Sequence, residues 1–432
     1  MENLCGFMIH ILWIGLVGAK TGYGPGEQDW GFVEIIPGGR MFYWLYYTTA
    51  DVSNYTERPL AIWLQGGPGV SATGKGNFDE LGPLDVNGNE RNWTWVKQMN
   101  VLFIDSPLGS GFSHVDNITL LPSTNNEIAE DLVTFMKEFY EVHRELEEVP
   151  LHIFSQSYGG KMAPEFALEL YYAIERGELR SNLKSVALGS PWTSPIDSVM
   201  SWGPLLLNMG IVDKDGYNMI MESTNRIEEY ARNEEWHKAF MEWANTSHIT
   251  MKVTENVSFY NILKYLKEED FETMETDNET DVGHVSNHNL ILKSLMRGPV
   301  SKALGIPSNV KWSAQKSHVF MNLASDFMRP VINIVNNILN NTNLKVAVLS
   351  GQLDLICATP GAVNWIDKLE WIYRQEFVEA PRIGIRIDNN LELYEKSGGN
   401  LTMFWVNRAG HMIPAGNPIA MSYILKKLTT YG

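Results

Sequence analysis

Residues 151–160, LHIFSQSYGG, join an apolar segment to a helical one through a turn of small residues. An apolar strand followed by a helix over 161–174 places Ser157 in a nucleophile elbow, a sharp turn that presents one hydroxyl clear of a sheet. Ser155, Gly159 and Gly160 are small enough for backbones to pass close by. The local pattern is S-x-S-x-G, with serine at the usual first glycine. The segment therefore predicts an α/β sheet that carries a candidate nucleophile.

Short apolar runs recur along the chain, as expected of strands buried on both faces of a parallel sheet. They lie at residues 61–64, 101–104, 151–154, 186–188, 346–349 and 404–406. Between the second and third runs, residues 127–142 carry apolar side chains at helical spacing, with Ser123 and Thr124 available as caps. Strand, helix and strand in succession form a βαβ unit. This rhythm predicts a mostly parallel central sheet flanked by helices.

The stretch 200–311 interrupts this rhythm, because it is acidic, rich in Met and Asn, and mostly helical in pattern. We interpret it as an insertion that caps the sheet, with the core formed by residues 20–199 and 312–432. A chain of 432 residues with 44% hydrophobic content is long enough to bury such a core.

The excess of acidic residues in the chain argues against some classes of binding partner. A formal net charge of −17 argues against nucleic acid, whose phosphates require a basic face, and suits solubility in an acidic compartment. Residues 69–75 imitate part of a phosphate-binding loop, but Gly76 stands where the Ser or Thr ligand of magnesium belongs. Neither a nucleotide, nor another cofactor, nor a metal is expected.

The first nineteen residues have the features of a secretory signal peptide. Residues 4–17 are mainly apolar and end at Val17-Gly18-Ala19, which fits the small-residue rule for cleavage after Ala19. A membrane anchor is the alternative, but the run is shorter than the ~20 residues a spanning helix needs. We therefore predict a secreted or lysosomal protein without a membrane span after signal cleavage.

N-glycosylation sequons are spread along the chain, as expected of a lumenal protein. They stand at Asn54, Asn92, Asn117, Asn245, Asn256, Asn278, Asn340 and Asn400. Cys5 lies in the predicted signal, so Cys357 is left alone and the mature chain has no internal disulfide.

A serine nucleophile needs a base and an acid that orients the base, and in this type of sheet they follow the serine in the order acid, then histidine. Asp354 comes directly after the apolar strand 344–350, and His411 follows the strand 404–406. Ser157, Asp354 and His411 are thus predicted as a catalytic triad.

Backbone amides fixed in place would have to stabilise the oxyanion formed by serine attack. Residues 63–69, WLQGGPG, form a glycine loop after a strand, and Gly67 can bring its amide against a substrate. The amide of Tyr158, directly after the candidate nucleophile, is the predicted second donor. An ordinary turn is the alternative for the glycine loop.

Several spaced motifs together resemble the serine carboxypeptidases of the α/β-hydrolase fold over nearly the whole mature chain. They are WLQGGPG, NFDELGPL, DSPLGSGFS, SQSYGGKMAPE, SWGP, SGQLDLI and AGHMIP. The resemblance implies removal of one C-terminal residue from a peptide with a free C-terminus, through an acyl-enzyme on Ser157 and at acid pH. It also implies the α/β-hydrolase fold, with the insertion as a cap over the cleft.

The same resemblance implies a site that binds the C-terminal carboxylate of the substrate. The matching positions are Gln65, Gly66, Glu80 and Gln156, although Glu80 alone would pass for a solvated surface residue. Gln65 replaces asparagine and Gln156 replaces glutamate, so we expect retained but altered activity with a simpler pH dependence. Two alternatives stay open: a weakened family member that acts as a binding or stabilising protein, and an esterase or acyltransferase with the same triad.

Overall fold

A mixed sheet of eleven strands runs through the part of the chain, residues 20–266 and 287–429, that the computed structural model describes. The strands are β1 (Gln28–Ile36), β2 (Gly39–Tyr46), β3 (Leu60–Leu64), β4 (Asn100–Ile104), β5 (His114–Val115), β6 (Pro150–Gln156), β7 (Asn182–Gly189), β8 (Lys345–Gly351), β9 (Ile383–Ile387), β10 (Asn390–Gly398) and β11 (Leu401–Val406). Their order is β1-β2-β4-β3-β6-β7-β8-β11-β10-β9, with β5 paired to β2. The pairings from β4 to β11 are parallel, and antiparallel strands flank them on both sides.

Each of the six apolar runs lies within one of the parallel strands, which confirms the predicted mostly parallel sheet. Side chains alternate between the two faces. In β3, for example, Ile62 and Leu64 belong to one hydrophobic cluster, whereas Ala61 and Trp63 belong to another on the opposite face. The sheet is therefore covered on both sides.

Helices cover both faces. They are α1 (Asn125–Val142), α2 (Gly159–Glu175), α3 (Pro195–Met200), α4 (Trp202–Asn208), α5 (Lys214–Arg232), α6 (Trp236–Val253), α7 (Asn287–Leu295), α8 (Ser301–Ala303), α9 (Ser317–Asn322), α10 (Ala324–Phe327), α11 (Ile332–Asn341), α12 (Thr359–Asp367), α13 (Arg374–Glu379), α14 (Ile413–Gly416) and α15 (Pro418–Thr429). Helices α1 and α2 contribute to one cluster and α15 to the other. A π-helical segment, Ala72–Leu81, contributes to the same second cluster as α15.

Helix α1 begins with a capping box, which explains why a polar stretch ends there and the helix starts. The hydroxyl of Thr124 accepts a hydrogen bond from the Glu127 amide at 3.3 Å, and the Glu127 carboxylate accepts one from the Thr124 amide at 3.1 Å. Of the two predicted caps, Thr124 is the N-cap, while the Ser123 amide also donates to Glu127.

Between β7 and β8 the described chain is mostly helical, from α3 to α11. Helices α4 to α8 fall within the predicted cap, 200–311, whose boundaries stay a prediction. Residues 267–286 of this stretch lie outside the described residues, as does the predicted signal peptide, 1–19. None of the helices described in 20–266 and 287–429 is long and apolar enough to cross a membrane.

Candidate active site

Ser157 occupies the turn between β6 and α2 in a left-handed conformation, with a φ of 59°. A non-glycine residue adopts this conformation only where its surroundings hold it. Here the Ser157 amide donates to the Gly189 carbonyl at 3.0 Å, and the Ser157 carbonyl accepts from the amides of Gly160 at 2.7 Å and Trp192 at 2.8 Å. All three hydrogen bonds hold the Ser157 backbone, and none of them involves its hydroxyl. The turn thus has the geometry of a nucleophile elbow.

His411 and Asp354 form a buried hydrogen-bonded pair. The distance between His411 Nδ1 and Asp354 Oδ2 is 2.9 Å, and the Cys357 amide donates to the other carboxylate oxygen at 3.2 Å. This contact fixes one ring nitrogen and leaves Nε2 as the atom that can exchange a proton. The pair can therefore serve as an oriented base.

Sheet topology places these groups at the same edge of the sheet. Ser157, Asp354 and His411 follow β6, β8 and β11, which all run in the same direction. Because β8 pairs directly with β11, up to Gly351 opposite Val406, the loops after these two strands lie side by side. The carboxyl ends of parallel strands are the usual place for a site in such a fold.

The glycine loop lies against the elbow. A Cβ placed on Gly66 would lie 2.5 Å from Ser157 Cβ and 2.9 Å from the Tyr158 nitrogen, so only glycine fits this position. Gly67 follows with a φ of 111°. Within the two described ranges, no hydrogen bond engages the amide of Gly67 or that of Tyr158. Two backbone donors are thus available next to the serine for a developing oxyanion.

Glu80, from the π-helical segment, is buried beside the elbow, so the alternative of a solvated surface residue is excluded. Its Oε1 atom accepts hydrogen bonds from Gln65 Nε2 and Gln156 Nε2, both at 2.8 Å. Gln65 is itself oriented by Trp63, whose indole nitrogen donates to Gln65 Oε1 at 2.6 Å. The structure therefore brings three of the four predicted carboxylate-binding residues together in one cluster, and the fourth, Gly66, lies against Gln156.

The electrostatics of this cluster favour a neutral carboxyl. Burial raises the pKa of Glu80 to about 7, against hydrogen bonds from Gln65 and Gln156 that lower it. Asp79 next to it raises this pKa further, and His411 lowers it. Among the described residues, the Oε2 atom of Glu80 is buried and has no hydrogen-bond partner. Around neutral pH and below, Glu80 can therefore offer a proton to an added acceptor.

A segment of the predicted cap reaches the acid and the base, which the sequence did not indicate. The Tyr260 carbonyl accepts a hydrogen bond from the His411 amide at 2.8 Å, and the Ile262 amide donates to the Leu353 carbonyl at 2.9 Å. The Tyr260 ring also packs on the His411 ring, with centroids 5.2 Å apart. No local pattern marks this segment, because its role depends on contacts between residues 151 and 91 positions apart.

Cys357, the cysteine within the described residues, is buried next to the acid. Burial and the charge of Asp354 raise the pKa of its thiol well above the usual value. Asp354, Cys357 and His411 offer ligand atoms within 4.8 Å of one another. Metal binding would require a thiolate, which this environment disfavours, whereas the Asp354–His411 hydrogen bond suits proton transfer.

The predicted glycosylation sites differ in their surroundings. Five are exposed: Asn54, Asn92, Asn117, Asn245 and Asn340. Asn256 and Asn400 are half-buried, and Asn278 lies outside the described residues. The Nδ2 atom of Asn400, to which a glycan would be attached, donates to the carbonyls of Leu339 at 3.2 Å and Leu344 at 3.3 Å. Asn400 therefore serves a structural role in the fold described here.

A serine in an elbow, followed in the chain by an acid and a histidine at the ends of parallel strands, defines the class of α/β hydrolases. Solved structures agree on the fold: that of Kex1(delta)p, a prohormone-processing carboxypeptidase from Saccharomyces cerevisiae, matches with a TM-score of 0.81 at 19% identity, covering 93% of this chain and 91% of that one.

The chain belongs to the peptidase S10 family, whose model, described as serine carboxypeptidase, matches residues 20–430. It is 37% identical to the retinoid-inducible serine carboxypeptidase of Mus musculus over 94% of this chain and 92% of that protein. The human protein of the same name is 39% identical over 90% of this chain and 88% of its own. Serine carboxypeptidase-like 51 of Arabidopsis thaliana is 33% identical, with 94% and 92% covered. The resemblance read from the motifs is thus confirmed.

Proposed function

We propose that this chain is a serine-type carboxypeptidase that removes the C-terminal residue of peptides, most efficiently at acid pH. The observation that carries the proposal is the buried Glu80 carboxyl, with its Oε2 atom unpartnered among the described residues, beside a candidate nucleophile elbow. A substrate carboxylate is the ligand that such a neutral, proton-bearing group suits best.

Acyl transfer would begin with the Ser157 hydroxyl. Its oxygen attacks the carbonyl carbon of the last peptide bond while His411 takes the hydroxyl proton, and Asp354 keeps the imidazole oriented. The amides of Gly67 and Tyr158 donate to the oxyanion. His411 then returns the proton to the leaving amine, the C–N bond breaks, and a free amino acid departs. Water, activated by the same imidazole, hydrolyses the acyl-enzyme and restores Ser157.

Exopeptidase selectivity would come from the carboxylate site. Protonated Glu80 donates from Oε2 to the terminal carboxylate, which is ionised above about pH 4. The amide groups of Gln65 and Gln156 hold the other oxygen of Glu80 and keep Oε2 directed away from them. Once Glu80 ionises, at a pKa of about 7, it repels the substrate. Peptide binding is therefore favoured between about pH 4 and about pH 7.

Two experiments test the proposal against its alternatives. A fluorophosphonate that labels wild type but not Ser157→Ala supports an active hydrolase, whereas an unlabelled protein supports the binding or stabilising protein. Turnover of peptides with free C-termini, compared with esters and with transfer to an added alcohol, then separates the carboxypeptidase from an esterase or acyltransferase. Preference for esters would contradict the proposal.

The same proposal includes the secretory pathway, with delivery to the lysosome or the extracellular space. The exposed positions of Asn54, Asn92 and Asn117 support it, because glycans at these sites would not disturb the fold. Peptide mapping after glycan release tests it: we expect modification at these three sites and none at Asn400. A protein that keeps residues 1–19 and carries no glycan would contradict it.

A further inference from the structure

Tyr158 directly follows the candidate nucleophile, and its side chain forms a hydrogen bond with a residue of α10. It is fully buried, and its hydroxyl donates to Asp326 Oδ2 at 3.0 Å. Its ring stacks on Phe327, with centroids 5.9 Å apart and planes only 3° from parallel. The backbone nitrogen of the same residue lies next to Gly66 in the glycine loop. Tyr158 thus links the predicted oxyanion site to α10.

Lys161 holds the same carboxylate from the first turn of α2. Its ammonium is fully buried and lies 2.6 Å from Asp326 Oδ2, and it also donates to the Asp326 carbonyl. The Lys161 amide donates in turn to the Tyr158 carbonyl at 2.9 Å. A buried ammonium without a counter-charge is strongly destabilising, so the pair requires Asp326 to stay in place. The carboxylate is therefore a fixed anchor for the Tyr158 hydroxyl.

Other charged groups near this anchor are Glu165, half-buried on α2, and Arg329, which follows α10. Asn125 donates to the Glu165 carboxylate and, at 2.9 Å, to the Lys161 carbonyl. Asn125 thus holds the backbone of Lys161, while Asp326 holds its ammonium. The network consequently joins α1, α2 and α10 behind the elbow.

The peptide group between Ser157 and Tyr158 is held from both ends. On one side, the Ser157 carbonyl accepts two backbone hydrogen bonds, from Gly160 and Trp192. On the other side, the Tyr158 side chain is fixed by Asp326 and Phe327. Since a peptide group is planar, fixing both ends fixes the direction of its N–H bond. A small rotation of that bond would weaken its hydrogen bond to an oxyanion.

We infer that Asp326 is a positioning residue, which acts through the Tyr158 hydroxyl to aim the Tyr158 amide at the oxyanion. The inference rests on the proposed function, in which that amide is a donor, and adds a residue 169 positions from the serine, on a different element. Asp326 does not touch the substrate, and its effect is transmitted through the side chain and backbone of Tyr158.

The decisive variant is Tyr158→Phe, which keeps the stacked ring and removes only the hydroxyl. We expect kcat to fall about tenfold with KM within about twofold, because a misdirected donor costs less than the ~10²–10³ lost when a donor is removed. Asp326→Asn keeps an acceptor for the hydroxyl and should retain more of kcat than Asp326→Ala. If Asp326 acts through the hydroxyl, adding Tyr158→Phe to Asp326→Ala should lower kcat no further.

A chemically matched control lies near the far edge of the sheet, on the strand next to β9. Glu395 on β10 accepts from the Tyr423 hydroxyl at 3.0 Å and pairs with Lys427, the same three groups as at Asp326. Tyr423→Phe and Glu395→Gln should lower the melting temperature but leave kcat within about twofold, because neither residue contacts the elbow. The contrast between the two sets separates positioning from general stability.

The rate of labelling by a fluorophosphonate gives a second readout, because the label also places an oxygen in the oxyanion site. We expect Tyr158→Phe to slow labelling about as much as it lowers kcat. The inference is overturned if Tyr158→Phe is destabilised like Tyr423→Phe but keeps the kcat and labelling rate of wild type. A wild type that is labelled but cleaves no peptide would overturn the carboxypeptidase proposal alone, and labelling rates would still decide the role of Asp326. A wild type that does neither overturns both.

Discussion

Gln156 donates a hydrogen bond from Nε2 to Glu80 Oε1 at 2.8 Å, immediately before the serine of the elbow. An amide at this position donates a hydrogen bond to the neighbouring carboxyl without adding a second titrating group. The carboxylate site of this chain thus has Glu80 as its one titrating member among Gln65, Gly66, Glu80 and Gln156, so its pH dependence should follow the ionisation of Glu80.

Glu80→Gln tests this relationship. We expect the kcat/KM of wild type to decline as pH rises through about 7, the pKa of Glu80. Glutamine is neutral at every pH, so the variant should lose this decline. The measurement is the pH profile of kcat/KM for a peptide with a free C-terminus. Asp79→Asn is the matched control: since the charge of Asp79 raises the Glu80 pKa, its removal should move the decline to lower pH without abolishing it. A decline unchanged in Glu80→Gln would contradict the account.

Gln156→Glu should restore a pair of carboxyls at the substrate site. Because two close carboxylates share protons, the variant should titrate in two coupled steps, and its kcat/KM should fall more steeply with rising pH than that of wild type. Gln156→Met, which removes the amide without adding a charge, separates titration from loss of the hydrogen bond. An identical profile for wild type and Gln156→Glu would refute the role assigned to Gln156.

Gly66→Ala should abolish most of the activity without unfolding the chain. The added Cβ would lie 2.5 Å from Ser157 Cβ and 2.7 Å from the Gln156 carbonyl, so the glycine loop or the elbow must shift. A displacement of this size at reacting groups costs about 10²-fold in kcat. Gly298→Ala is the control, since a Cβ there would meet nothing within 4 Å. Wild-type turnover by Gly66→Ala would show that the loop is not part of the reacting site.

Stability should depend on His152, which is buried in β6 at 2.7 Å from the Ser185 hydroxyl. Burial lowers its pKa from 6.5 to about 4, helped by the charges of Lys345 and Lys184. Between these two values the unfolded chain binds a proton that the folded chain does not, so acidification from about pH 6.5 to about pH 4 reduces the free energy of unfolding.

The test of this linkage is His152→Gln, followed by urea unfolding at several pH values. The variant should lose on the order of 1–3 kcal/mol of that acid dependence, whatever its stability at neutral pH. His318→Gln, which changes an exposed histidine, serves as the control. Equal acid dependence in wild type and His152→Gln would contradict the assignment.

Much of the fold follows from the sequence, because strands buried on both faces are continuous apolar runs. Strands β3 and β8 show this, with nearly every residue buried. The antiparallel edges were not predicted. Strand β1 mixes buried, half-buried and exposed positions, and β9 has only half-buried and exposed ones, so their pairing depends on neighbours and not on their own pattern. Helix capping, in contrast, depends on residues close together in the sequence, so the N-cap at Thr124 could be predicted.

The candidate site divides in the same way. Ser157, Asp354 and His411 could be nominated because each follows an apolar strand in a fixed order, and the glycine loop could be nominated from its motif. The contact of Asp326 with Tyr158 joins residues 168 positions apart, and no local pattern encodes it. The burial of Glu80 likewise depends on how the π-helical segment packs against β4 and α14, which only the folded chain determines.

The most direct test of carboxypeptidase activity compares two peptides of the same sequence, one with a free and one with an amidated C-terminus. At about pH 5, where Glu80 is protonated, mass spectrometry should show wild type shortening the free peptide one residue at a time and sparing the amide. Ser157→Ala should shorten neither peptide. Internal cleavage, equal shortening of both peptides, or full activity of Ser157→Ala would contradict the account.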